Sequence, residues 1–189
     1  NDTGFDLSAA AQLDYNRFLA DAAHRRGLSV GLKNALDQVQ DLLPDILAHP
    51  IRRPEDLRHL RVPDPRRDPA IAAVRATARR FQGRRAVFFV GRDAFADAWN
   101  LCGLENLLAS FVLDPGFATG LIRTVKEYNL ALHREVIRAG ADFIVLGDDY
   151  AHKTGTLMSP EHFRRFILPG FTEIVRNIKQ AGALCVKHT

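Results

Sequence analysis

The chain has 189 residues, 47% hydrophobic and 25% charged, with a formal net charge of +4. That is globular composition, which excludes a disordered chain, and no apolar run approaches the roughly 18–20 residues that span a bilayer. Two cysteines, Cys102 and Cys185, are too few for a disulfide scaffold or a self-contained zinc knuckle, so both are expected as free thiols in a reducing compartment. Residue 1 is Asn and no basic-plus-apolar leader follows it, so a cytoplasmic protein is expected, without membrane or nucleic-acid partners.

In chain order, Ser8 is placed to cap a helix to about Arg26, with Leu13, Phe18, Leu19 and Ala22 on one face. Gly27 stops it. Residues 28–32 read as a short strand and residues 35–43 as a second helix. Prolines 44, 50, 54, 63, 65 and 69 then forbid long elements, leaving a linker with one short helix from Pro54 to Leu60. Further helices are expected over 69–81, over 94–113 with a break near Gly103, and from Pro115 to Ala139. Strands are expected at 86–90, 142–146 and 184–187, and a loop at 147–158. Ser159-Pro160-Glu161 opens the last helix, with Ser as cap, Pro first and Glu in the first turn.

Charge is unevenly placed. Residues 1–48 hold four Lys/Arg against seven Asp, a net −3, and residues 49–85 hold eleven Arg against four acids, a net +7. The arginines lack interleaved aromatics, so a solvated linker and helix face are expected, with attraction of a polyanionic substrate as the alternative.

Three segments run helix, glycine, apolar strand: Arg26-Gly27 into 28–32, Ala139-Gly140 into 142–146, and Ala181-Gly182 into 184–187. This is the joint of a parallel α/β sheet. No Gly-x-Gly-x-x-Gly fingerprint follows a strand, as a doubly wound dinucleotide fold would have. A closed eight-stranded barrel needs about 250 residues. Four strands, with a chain that starts in a loop and stops at a strand's carboxyl end, suggest a partial (β/α)8 TIM barrel with flanking helices. Open sheet edges then suggest a homodimer or aggregation.

Two resemblances carry the functional expectations. Asn1-Asp-Thr-Gly-Phe5, Gln12-Leu-Asp-Tyr-Asn16 and His24 through Asn34 resemble the α-1,4-polygalactosaminidase-type glycoside hydrolases, over residues 1–45. That family is an α/β barrel with acidic catalysis. Asp2, Lys33 and Asn34 are expected in turn and cap duties, with sugar contact as the alternative, and Asp6 as a loop carboxylate, with the catalytic strand expected to lie upstream. After the linker at 46–68, residues 69–189 continue a second resemblance that begins near Leu47. It rests on His49-Pro-Ile51, Pro54-Glu-Asp-Leu57, Val62-Pro-Asp-Pro65, Gly91 through Trp99, Gly103-Leu-Glu-Asn106, Ala139-Gly-Ala-Asp142, Gly147-Asp-Asp149, Leu157 through Phe163 and Ile167-Leu-Pro169. These resemble the uroporphyrinogen decarboxylase family, chiefly its branch with cobalamin-linked methyltransferases.

The resemblance implies a barrel whose site lies at the strand carboxyl ends, with a small tetrapyrrole or methylated cofactor as substrate. Asp148, Asp149 and His188 become the candidate catalytic residues. A carboxylate near pyrrole nitrogens stabilises the positive charge that develops as carbon dioxide leaves. Gly91, Arg92, Trp99 and Tyr150 become candidate substrate contacts, with Arg92 suited to a carboxylate or phosphate. In the methyltransferase cousins a His at the place of His188 binds zinc with cysteines further on. Here zinc is expected only if ligands outside this chain complete His188. His152 and Lys153, on the long loop, are expected to be solvated, with a lid or product gate as the alternative. Glycoside hydrolysis and a non-catalytic hybrid are the alternative readings.

Overall fold

The computed structural model describes residues 49–51 and 53–188, together with Asp14, Arg17 and Phe18, which are helical. The expected strand at 28–32, the helix at 35–43 and the residues Asp2, Asp6, Lys33 and Asn34 lie outside the described residues. The chain divides into two units, residues 1–48 and 49–189. Every strand among the described residues belongs to the second unit.

The proline-rich stretch forms 3-10 turns at Pro54–His59 and Pro65–Arg67. Its arginines 53, 58, 61, 66 and 67 are exposed, while a few of its apolar residues pack inward. Ile51 is buried and donates its N–H to Leu101 O at 3.0 Å, and Leu57 and Leu60 join the core. Helix α1 (Pro69–Phe81) leads to strand β1 (Phe88–Gly91). Helices α2 (Phe95–Cys102), α3 (Leu104–Leu113) and α4 (Pro115–Arg138) precede β2 (Phe143–Leu146). The expected loop contains a small hairpin, β3 (Ala151–His152) and β4 (Gly155–Thr156). A helical turn α5 (Pro160–His162) runs through a π-turn at Phe163–Ile167 into α6 (Leu168–Gln180), and β5 (Leu184–Lys187) follows.

The same chemistry starts four helical segments, a capping oxygen and then proline, the first being the Pro65–Arg67 turn, where Asp64 accepts Arg66 N–H. The Asp68 carboxylate accepts Ala70 N–H, Asp114 accepts Phe117 N–H, and the Ser159 hydroxyl accepts His162 N–H. Each satisfies an orphan first-turn donor, and proline needs none. At the opposite ends, Arg79, Arg80, Arg138 and Lys179 occupy the last turns of α1, α4 and α6. Cations there complement the carbonyl ends of the helices, which accounts for part of the arginine excess.

Strands β1, β2 and β5 form a parallel sheet in the order β1-β2-β5. Phe88 aligns with Phe143 and Leu184, and Val90 with Val145 and Val186. Side chains alternate across a strand. Ile144 and Leu146 face the helices and pack with Ile71 and Val74 of α1, Val136 of α4, and Ile174 and Ile178 of α6. A second core gathers Phe95, Leu107, Phe111, Leu121, Phe166 and Ile167. Helix α4 serves both: Phe117–Val125 pack in one core and Leu130–Val136 in the other. Each fully buried Leu or Phe contributes about 1.5–3 kcal/mol. Gly140, at φ +113°, closes the joint between α4 and β2, and a Cβ there would lie 2.6 Å from Ala78 Cβ.

The sheet face away from the helices is apolar and open. Phe88, Val90, Leu184 and Val186 remain 45–71% exposed, with Phe143 and Val145 half-buried between them. Continuous apolar strands suit a sheet covered on both faces, and the described residues cover one. Replacing both Val90 and Leu184 by Thr should therefore cut binding of an apolar dye and self-association several-fold, read by dye fluorescence and sedimentation. Unchanged dye binding and association would mean that the face is already covered.

Candidate functional site

Parallel register builds this site. Gly91 aligns with Leu146, which aligns with Lys187, and the ladder extends beyond the strands through Gly147 N–H to Gly91 O and His188 N–H to Leu146 O. Asp93 and Asp148 each lie two residues past these aligned ends, so the two carboxyl groups come side by side. Helix α2 begins two residues after Asp93, and its N-cap residue, Ala94, has no side chain able to cap it. The two aspartates supply the missing acceptors. Asp93 Oδ1 accepts Ala94 N–H at 2.5 Å and Phe95 N–H at 3.1 Å, while Asp148 Oδ2 accepts Phe95 N–H at 3.0 Å and Ala96 N–H at 2.9 Å. Carboxylates belong at a helix N-terminus, where donors and positive potential converge.

The other strand ends complete the cluster. Tyr150 donates its hydroxyl to Asp93 Oδ2. Lys187 donates its ammonium to Asp148 O, lies 3.8 Å from Asp93 Oδ2, and stands 4.4 Å over the Tyr150 ring centroid. From α4, Asn129 Nδ2 donates to Asp93 O and to Asp97 Oδ2, each at 2.9 Å. Beneath them lies His133, buried, with no hydrogen-bond partner among the described residues for either ring nitrogen.

Burial sets the protonation. Burial, then the hydrogen bond and charge of Asp93, push the Asp148 carboxyl well above the usual carboxylate range. Burial also pushes Asp93 upward, but hydrogen bonds from Asp148, Tyr150 and the two amides outweigh it and hold Asp93 low. Two like charges cannot share such a site, so the pair keeps one proton, carried by Asp148. Burial and the neighbouring Asp93 charge raise the Tyr150 hydroxyl far above its ordinary value. Asp93 is 1% exposed and Asp148 0%, whereas the Lys187 side chain is 21% exposed. A bound molecule thus meets Lys187 and the half-buried Tyr150, with the carboxyl pair behind them.

Of the residues expected from sequence, Asp148 and Tyr150 enter this cluster. Asp148 is wholly buried: its Oδ2 takes the α2 amides, and its Oδ1 has no hydrogen-bond partner among the described residues. Arg92, Asp149 and His188 are exposed at the same end of the sheet, outside the hydrogen-bonded cluster. Trp99 is half-buried and packs on the α2–α3 core. Gly91 has a packing duty: a Cβ there would collide with His133 Nε2, so its bareness lets α4 approach. His152 and Lys153 sit at the exposed β3–β4 hairpin, where Thr154 Oγ1 lies 3.0 Å from His152 Nδ1. Asp93, Lys187, Asn129 and His133 carry no sequence signal of their own. Counting two residues from each strand end pairs Asp93 with Asp148. For zinc the fit is poor: among the described residues no three His, Cys, Asp or Glu side chains converge on one point. Cys185 lies within β5, and burial raises its thiol.

The uroporphyrinogen decarboxylase family model matches residues 31–188. The chain belongs to the uroporphyrinogen decarboxylase family. The model of glycoside-hydrolase family GH114 matches residues 1–48, overlapping the first match at 31–48. A methyltransferase from Methanosarcina mazei is similar in structure, with TM-score 0.64 and 18% identity. The likeness covers 75% of this chain and 42% of that one, so this uroporphyrinogen decarboxylase family chain spans less than half of its neighbour. At that identity the likeness speaks for the fold: parallel sheet with helices. No curated protein matches the chain. Among the described residues, no helix is long and apolar enough to cross a membrane.

Burial lowers His133 to about 4, against the opposing pull of Asp93. The unfolded chain, with an ordinary His near 6.5, takes up this proton first as pH falls. Stability should be full above about pH 6.5 and decline toward pH 4, by about 1–3 kcal/mol from this group. His133→Leu should flatten that part of the acid limb in denaturant titrations at pH 7, 5.5 and 4.5. Parallel decline in both proteins would assign the loss elsewhere.

Proposed function

We propose that residues 49–188 form part of a (β/α)8 barrel and that their site decarboxylates a small acidic substrate of the tetrapyrrole kind. The observation that carries this reading is the convergence of Asp93, Asp148, Tyr150 and Lys187 at three adjacent strand ends. Barrel enzymes gather their chemistry at that end. The Lys187 ammonium is the reachable cation and draws a substrate carboxylate toward the site. As the carbon–carbon bond breaks, carbon dioxide departs and the electron pair stays on the substrate carbon. That carbon takes a proton from the Lys187 ammonium, and the resulting amine regains one from solvent at its exposed side, so the Asp148–Asp93 pair keeps its single proton throughout. Asp93 positions Lys187 and Tyr150, and Asp148 fixes Asp93 to helix α2.

Methyl transfer is the second reading, favoured by the structural likeness to a methyltransferase. The hydrolase alternative rests on residues 1–48 alone, and we assign that segment no part in decarboxylation.

With the full chain and a reduced porphyrinogen as substrate, labelled carbon dioxide should be released. Lys187→Met should lower that release at least 100-fold with an unchanged circular dichroism spectrum. Equal release by the variant, or demethylation of methylcobalamin in place of any carbon dioxide release, would overturn the assignment.

A further inference from the structure

A cavity of about 390 Å³ lies beside the cluster, lined by Tyr150, Thr156, Met158, Pro160, Phe163, Arg164 and Leu168. Its size suits a small organic molecule, and its wall is largely apolar. Three features point to a ligand rather than to a gap in packing. Arg164, exposed at the rim, is the one charged residue of the lining. Its neighbour Arg165 stacks on Phe166 at 4.9 Å, whereas Arg164 makes no ion pair or ring contact with any described residue. Two lining residues, Phe163 and Arg164, belong to the π-turn Phe163–Ile167. Such turns interrupt regular helix pairing at a cost and gather at functional sites.

Tyr150 joins this cavity to the polar cluster. Its hydroxyl reaches Asp93, and its ring packs edge-on against Phe163 at 5.1 Å. The β3–β4 hairpin supplies Thr156 as one wall.

We infer that this cavity is a binding site for a small aromatic carboxylate, its ring lying among Tyr150, Met158, Phe163 and Leu168 and its carboxylate on Arg164. The planar guanidinium fork is suited to a carboxylate by two parallel hydrogen bonds. The inference stands apart from decarboxylation, because its test reads binding alone.

Benzoate, titrated into the full-length chain and followed by amide chemical shifts, should perturb Thr156, Met158 and Phe163 saturably. Benzyl alcohol, of similar shape without the charge, should bind at least tenfold more weakly. Arg164→Gln should weaken benzoate at least tenfold. Thr156→Trp, on the exposed hairpin, should fill the cavity and abolish binding while Arg164 remains. Absence of saturable binding, equal binding of benzyl alcohol, or undiminished binding by either variant would overturn the inference.

Discussion

Two carboxyl groups buried against one helix end are the constraint on which this site depends. An isolated buried carboxylate costs several kcal/mol. Asp93 and Asp148 reduce that cost in two ways. They occupy the orphan amides of Ala94, Phe95 and Ala96, and they hold one proton between them. The arrangement works only with β1, β2 and α2 in fixed relation. Lys187 ties β5 to the same point, and Asn129 ties α4. A group that is costly to bury thereby becomes a fastener for five elements.

The packing below the cluster explains its rigidity. Helix α4 spans both cores, so the helix that carries Asn129 and His133 is fixed along its length. Gly91 lets that helix approach the end of β1 closely. The result is a polar cluster held on apolar supports, with Lys187 and Tyr150 as its outward members. The sheet face opposite the helices belongs to the same account. A layer with helices on one side presents its apolar strands to whatever completes it.

Much of the fold is legible in the sequence because its signals are local. Asp or Ser before proline marks helix starts, glycine after a helix marks the joints, and apolar runs mark β1, β2 and β5. The break at Gly103 is visible for the same reason. The hairpin at Ala151–Thr156 and the π-turn are not, since two-residue strands and one added helical residue leave little periodic trace. The site is half legible. Asp148 and Tyr150 follow a clear strand and a double acid. Asp93 is hidden inside the run Gly91 through Trp99, and its importance depends on a residue 55 positions away being brought alongside by register. Gly91 reads in the sequence as a candidate substrate contact, with no sign that His133 lies against it in space. Lys187 reads as the last residue of a strand, with no sign that its amine turns toward Asp93.

The carboxyl pair is open to direct observation. Carbon-13 NMR of the aspartate side-chain carbonyls, assigned with Asp93→Asn and Asp148→Asn, follows each group through its titration. At neutral pH the Asp148 carboxyl should still have the shift of a protonated acid while Asp93 is ionised. Both carboxyl groups ionised at pH 7 and titrating near 4 would contradict it.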